Sequence, residues 1–227
     1  MGLEMDSVNL VYDIGKELQT YALKNINISL EGNRIVGVMG PSGSGKSSLL
    51  YTLAGLKCPT SGKVYYNEIN YSDLSPDKNA ELRRKDFGFI FQKHFLIDYM
   101  TVLQNVLTPI NDDSKEAKMK AVTILDKLNI LNLSGKKPHQ LSVGQKQKVA
   151  IARAFIGEPK IIFADEPTAA LDYEATINVM NFLKSYRKEK MIIIVSHDKS
   201  ILEDADSIIN MFDGSIISTQ SGEEENM

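Results

Sequence analysis

The run Ile35-Val36-Gly37-Val38-Met39-Gly40-Pro41-Ser42-Gly43-Ser44-Gly45-Lys46-Ser47-Ser48 carries a strand, a loop and a helix start in succession. Residues 35–39 are apolar on both faces, as a strand inside a parallel sheet should be. Gly40 to Ser47 fit G-x-x-x-x-G-K-[ST], and residues 46–54 read as a helix that Gly55 ends. Glycines let such a loop curl and aim its N–H groups at phosphate oxygens, and the helix N-terminus adds partial positive charge. Lys46 can bridge the β- and γ-phosphates, and the Ser47 hydroxyl can ligate Mg²⁺. Gly40, Pro41, Ser42, Gly43, Ser44, Gly45, Lys46, Ser47 and Ser48 are therefore nucleotide-binding candidates.

On either side, strand and helix signals alternate. Ile26, Ile28 and Leu30 alternate with polar residues, Glu31-Gly32-Asn33 is a turn, and Pro59-Thr60-Ser61-Gly62 leads into a short strand at 63–66. Residues 87–91 form another apolar strand, after which residues 92–155 are mostly helical. Ser114 can cap a helix whose Ala117, Ala121, Ile124, Leu125 and Leu128 form one stripe. Strand character returns at 161–164 and 191–195, with a helix near 175–185 between them. Asp213-Gly214, between the strands 208–212 and 215–217, signals a hairpin. This order predicts an α/β protein with a phosphate-loop NTPase core, a largely parallel sheet and a helical subdomain.

Ile161-Ile162-Phe163-Ala164-Asp165-Glu166 is an apolar strand ending in two acids. Strand C-termini are where an α/β sheet places its site. Asp165 can complete a Mg²⁺ shell, and Glu166, pointing the other way, can polarise an attacking water.

Composition narrows the function classes. The chain has 227 residues, enough to bury a core without disulfides or metal staples. Its single cysteine, Cys58, cannot pair within the chain, which fits a reducing compartment. A net charge of −3 offers no broad basic field, so no nucleic-acid partner is expected. The apolar runs fall far short of the ~20 residues of a membrane helix, and residues 1–30 hold no continuous apolar segment. A cytoplasmic chain is expected.

Leu141-Ser142-Val143-Gly144-Gln145, followed by Lys146-Gln147-Lys148-Val149-Ala150-Ile151-Ala152-Arg153-Ala154, fits a capping box, S-x-x-Q, that opens a helix. Here the chain resembles the ATP-binding cassette (ABC) ATPases, whose signature reads L-S-G-G-Q before such a helix. The resemblance extends to Gln92 after the strand at 87–91, to Ala170-Leu171-Asp172 and to Ser196-His197. It implies one ABC ATPase domain over 1–227, with a core at about 1–92 and 157–220. An antiparallel β part lies near the N-terminus, a helical subdomain spans about 93–156, and an acidic tail covers 221–227. It further implies ATP and Mg²⁺ as cofactors, ATP hydrolysis, and a head-to-tail homodimer that sandwiches ATP. Ser142, Gly144 and Gln145 would face the γ-phosphate bound by the other subunit, and Asp172 would work across the interface. Gln92 would sense the γ-phosphate through Mg²⁺ or water, His197 would contact it, and Tyr12, with Tyr21 as substitute, would stack on adenine.

Val143 departs from the family's glycine, and Lys148 stands where arginine is common, read as a surface change; His94 and His139 match no motif and read as surface residues. The stretches Tyr21-Ala22-Leu23-Lys24-Asn25-Ile26 and Leu82-Arg83-Arg84-Lys85 are similar to the subgroup serving lipoprotein release, macrolide export and bacitracin-type resistance. That subgroup implies an integral-membrane permease as partner and a peripheral position on the inner face of the cell membrane. The apolar segment Phe95-Leu96-Ile97-Asp98-Tyr99-Met100 would receive a short permease helix. A soluble cassette acting on DNA or ribosomes is the alternative; the chain has one cassette and no coiled-coil arm or cysteine cluster.

Overall fold

The computed structural model describes residues 1–14 and 19–221. Beyond Ser221, the expected acidic tail lies outside the described residues. In chain order the elements are β1 (Gly2–Tyr12), β2 (Thr20–Glu31), β3 (Ile35–Met39), α1 (Lys46–Leu53), β4 (Ser61–Tyr66), β5 (Ile69–Asn70) and α2 (Pro76–Asp86). Then come β6 (Phe87–Ile90), α3 (Val102–Leu107), α4 (Lys115–Lys127), α5 (Val143–Phe155), β7 (Ile161–Asp165), α6 (Tyr173–Ser185), β8 (Met191–Val195), β9 (Ser207–Phe212) and β10 (Ser215–Ser221). They form two compact units, Met1–Arg83 with the chain from Met191 onward, and Arg84–Lys190.

In the first unit, β2, β1, β4 and β5 make an antiparallel sheet in that order. Its buried residues include Leu3, Met5, Val8 and Leu10 on β1 and Leu23, Ile26 and Leu30 on β2, and irregularities in the β1–β2 pairing break their alternation. The second sheet runs β10, β9, β3, β8. There β3 pairs in parallel with both β8 and β9, so its Ile35, Val36 and Val38 are fully enclosed, as their unbroken apolar run foretold. The hairpin read at Asp213-Gly214 joins β9 to β10, which pair antiparallel. Leu49, Leu50 and Leu53 form the buried face of α1.

In the second unit, β6 and β7 pair in parallel. The Phe163 ring meets Phe87 edge-on at 5.1 Å and stacks on Phe89 at 5.6 Å. The Ser114 cap forms as read, its Oγ accepting from Ala117 N, and the stripe from Ala117 to Leu128 is buried. Phe155, Phe182 and Tyr186 make a second aromatic cluster at the end of α5. Asn105 on α3 is completely buried. Its Oδ1 accepts from Ile97 N at 2.7 Å, and its Nδ2 donates to the carbonyls of Ile97, Met100 and Thr101. One amide thus shapes the turn that precedes α3.

Helix α2 was not legible, because its sequence is polar almost throughout and leaves no apolar stripe. Its start follows ordinary rules, with Pro76 in the first turn and Ser75 Oγ accepting from Lys78 N. Arg83 ties it to the end of α1 by donating to Gly55 O at 2.8 Å.

Asn105→Ala should strip the turn of its polar filler and remove the side-chain bonds to Ile97 N and to the Ile97, Met100 and Thr101 carbonyls. A loss of about 3 kcal/mol, or about 6–12 °C in melting temperature, is expected in thermal denaturation.

Candidate functional site

In the first unit the loop after β3 curls through Gly40 (φ 152°), Gly43 (φ 80°) and Gly45 (φ 99°). Glycine is required at two of these by what lies behind them. A Cβ on Gly40 would sit 2.3 Å from Met211 O and 2.6 Å from Ser44 Oγ, and one on Gly45 would sit 2.3 Å from Ala22 O. The β9–β10 turn braces the loop from behind, with Gly214 N donating to Ser44 O at 3.0 Å. Lys24 N donates to Gly214 O in turn, at 2.8 Å.

The side chains of the loop converge on its hollow. Lys46 is buried and donates to the carbonyls of Gly40 at 2.8 Å and Pro41 at 2.9 Å. Ser44 Oγ is buried with no partner among the described residues. A buried hydroxyl in that state is costly unless a ligand takes it up, and a phosphate oxygen is a matching acceptor. Parallel pairing of Val38 with Val195 brings the end of β8 level with the start of the loop. His197 follows there, exposed, after Ser196 N donates to Val38 O.

Tyr12, at the end of β1, sets its hydroxyl 3.2 Å from Ser48 Oγ. Lys57 donates to the same hydroxyl and holds its ammonium 4.3 Å from the ring centroid, covering one face. A base stacked on Tyr12 would have the other face. Tyr21 is exposed on β2, opposite Val11.

In the second unit Ile90 pairs with Ala164, so Gln92 and the acids Asp165 and Glu166 leave their strands in the same direction. Asp165 is buried, while Gln92 is exposed. Glu166 has φ 50°, a left-handed conformation that costs a non-glycine residue about 1 kcal/mol or more. Among the described residues, no group of three or more His, Cys, Asp or Glu could hold a metal. Within this unit Gln92 and Asp165 present oxygen donors, the ligand type that Mg²⁺ takes, but too few to form a shell by themselves.

The capping box at the start of α5 is formed in both directions. Gln145 N donates to Ser142 Oγ at 3.2 Å, and Ser142 N donates to Gln145 Oε1 at 3.0 Å. Gly144 has no room for a larger side chain without movement, since a Cβ would lie 3.2 Å from both Ala170 O and Leu171 Cδ2. A cavity of about 460 Å³ opens beside it, lined by Ser142, Gly144, Lys148, Leu171 and Asp172 among others. Asp172 caps α6, its Oδ1 accepting from Ala175 N at 2.8 Å. Val143 is 58% exposed at the first helical position, so the extra side chain meets no steric conflict within the chain.

Two expectations need correction. Lys148 is not a surface replacement: half-buried, it donates to Leu128 O at 3.1 Å and contacts Asn178 Oδ1 at 3.4 Å. Burial pushes its ammonium below the usual lysine value, and Asp172 pulls it partly back. His94 is half-buried, and its Nε2 is enclosed without a partner. Burial, then Lys146 and Arg153, push its pKa down and favour the neutral ring. His139 is exposed, as expected.

Sequence reasoning assigned nothing to Lys57, Asn105 or Arg153. Only Arg153 left a signal, a cation between Ala152 and Ala154 on an otherwise apolar stretch of helix. Its Nη1 donates to Phe95 O at 2.6 Å and its Nη2 to His94 O at 2.7 Å.

Strand, curled glycine loop and buried lysine define a phosphate-loop nucleotide-binding protein. Residues 23–169 match the pattern of the family described as ABC transporter. An uncharacterized ABC transporter ATP-binding protein of Methanocaldococcus jannaschii, MJ1508, is 43% identical over 95% of this chain and 97% of its own length. The putative hemin import ATP-binding protein HrtA of Staphylococcus haemolyticus is 41% identical over 95% of this chain and 99% of its own. A solved dimer of the cassette MJ0796, in a post-hydrolysis state bound to ADP and Pi, superposes with a TM-score of 0.92 at 36% identity. That match covers 97% of this chain and 98% of the other. The chain belongs to the ABC transporter family and is an ATP-binding subunit with ATPase activity. The macrolide export ATP-binding/permease protein MacB of Escherichia coli is 37% identical over 97% of this chain, which spans 34% of MacB. No helix among the described residues is long and apolar enough to cross a membrane.

Asp172 caps a helix besides any part in nucleotide chemistry. Asp172→Asn should keep the melting temperature, because asparagine caps as well, whereas Asp172→Ala should lower it by about 2–4 °C. Equal melting temperatures for both would show that the cap contributes nothing.

Proposed function

We propose that the chain hydrolyses Mg·ATP at a head-to-tail homodimer and so drives an integral-membrane permease of the export, extraction or resistance type. The observation that carries this reading is the phosphate loop, with Lys46 turned inward and Ser44 Oγ buried without a partner. Backbone N–H groups of residues 42–48 cradle the phosphates, and Lys46 exchanges its loop carbonyls for β- and γ-phosphate oxygens. Mg²⁺, when bound, neutralises phosphate charge, and Ser47, Gln92 and Asp165 are the residues that would hold it. Glu166 accepts a proton from water as the water oxygen bonds to the γ-phosphorus. The bond from that phosphorus to the bridging oxygen breaks, and the products are ADP, phosphate and a proton. His197 keeps the attacking geometry, and Tyr12 stacks on adenine with the ring face that Lys57 leaves free.

Across the dimer, Ser142, Gly144 and Gln145 offer a capped helix N-terminus to the γ-phosphate of the other copy, and Asp172 works at the same interface. Similarity to the putative hemin import ATP-binding protein HrtA and to the macrolide export ATP-binding/permease protein MacB supports a transport role. The partner places this chain at the inner face of the cell membrane. No nucleic acid is involved, in keeping with the net charge of −3.

Glu166→Gln should retain ATP, lose at least about 10²-fold in turnover and run as an ATP-dependent dimer in size-exclusion chromatography. Adding Ser142→Arg to that variant should abolish the dimer and leave binding of a fluorescent ATP analogue intact. A dimer peak in the double variant would refute the sandwich.

The docking assignment rests on exposure. Phe95 and Tyr99 are 64% and 74% exposed, where packing inside the helical part would have hidden them. Tyr99→Asp should therefore melt like the parent and fail to sediment with membranes containing the membrane protein of the adjacent reading frame. A stable variant that still sediments removes Tyr99 from the docking surface.

A further inference from the structure

Residues 94–101 follow Gln92 and hold no helix or strand, yet two buried or half-buried polar side chains from different helices pin them. Asn105 on α3 occupies the turn at Ile97, Met100 and Thr101. Arg153, in the last turn of α5, spans two consecutive carbonyls, those of His94 and Phe95. Only a planar guanidinium offers two parallel donors at that spacing, and a charged donor makes each bond stronger than a neutral one. Phe95 itself is held at φ 45°, a left-handed conformation that an aromatic residue keeps only when its surroundings impose it. Its ring stands edge-on to Phe91 at 5.5 Å, next to Gln92.

The other end of α5 is the capped N-terminus at Ser142. From there to Arg153 the helix rises about 16 Å without interruption. One rigid helix therefore carries the serine of the signature at its head and the clamp on the segment after Gln92 near its foot.

We infer that Arg153 is a positioning residue for ATP hydrolysis. It fixes the backbone just beyond Gln92 to the signature helix, so that Gln92 and Ser142 keep one spacing while the nucleotide reacts. The inference rests on the proposed roles of Gln92 and Ser142. The Arg153 guanidinium is spent on the carbonyls of His94 and Phe95, so its loss affects the chemical step and spares ATP binding at the phosphate loop.

Full-length parent, Arg153→Met and Arg153→Lys would be compared by steady-state ATPase kinetics, fluorescent ATP-analogue titration and amide hydrogen exchange. Met keeps the apolar stem, and Lys keeps the charge but loses the two-pronged fork. The Ile97 and Met100 amides, hydrogen-bonded to Asn105 Oδ1 and Ile97 O, report the segment. Arg153→Met should exchange about tenfold faster at these amides and lose about tenfold in kcat, with KM and analogue affinity within about twofold of the parent. Arg153→Lys should fall between the two. Parental kcat with parental exchange in a folded variant overturns the inference. So does a lower kcat with parental exchange at Ile97 and Met100, or faster exchange spread uniformly over the chain. If Arg153→Met does not fold, Arg153→Lys is decisive alone, with faster local exchange and lower kcat expected and parental values refuting. A parent that does not hydrolyse ATP would instead refute the proposed function.

Discussion

A backbone loop that curls through left-handed glycines must be held from behind, or it relaxes. In this chain the hold is steric and polar together. Met211 O and Ala22 O stand where any side chain on Gly40 or Gly45 would go, and Gly214 N takes the Ser44 carbonyl. The hollow is thus formed before a ligand arrives. Lys46 satisfies itself on the loop's own carbonyls, so nucleotide binding exchanges one set of oxygen acceptors for another. An exchange of partners costs little beside the desolvation of an unpaired ammonium.

The second unit relies on a different device. Its helices are joined by single polar side chains that reach backbone carbonyls: Asn105 in the turn before α3, Arg153 on residues 94 and 95, Lys148 on Leu128. Apolar packing fixes how helices lie against each other but tolerates sliding. A donor aimed at a particular carbonyl does not, which is why such bonds specify register more than they add stability. The segment that exposes Phe95 and Tyr99 is therefore ordered without being regular.

Most of this architecture was legible. Strands β3, β7 and β8 announced themselves because burial on both faces leaves no place for a polar residue. The Ser114 and Ser142 caps lie at helix starts, where a side-chain oxygen has a nearby orphan N–H to accept, whereas the Asp172 cap was not read. What stayed hidden depends on distant partners. Helix α2 has no stripe because it is mostly solvated, and its tethers, such as Arg83 to Gly55 and Lys160 to Asp86, join residues far apart in sequence. Lys148 read as an exposed replacement because its partners lie on α6 and at the end of α4, which no local pattern reveals. The strain at Glu166 was equally invisible, since a left-handed glutamate looks like any other in sequence.

The brace behind the phosphate loop also orders events in time. The loop leaves the ribosome first, whereas the β9–β10 turn that supports Ser44, and Met211 that shapes Gly40, follow about 170 residues later. At ordinary elongation rates the delay is about ten to thirty seconds. During that interval the nascent chain carries the whole phosphate-loop sequence without its scaffold. Nucleotide capture, and any pairing of two copies through it, is thereby postponed until the hairpin has closed.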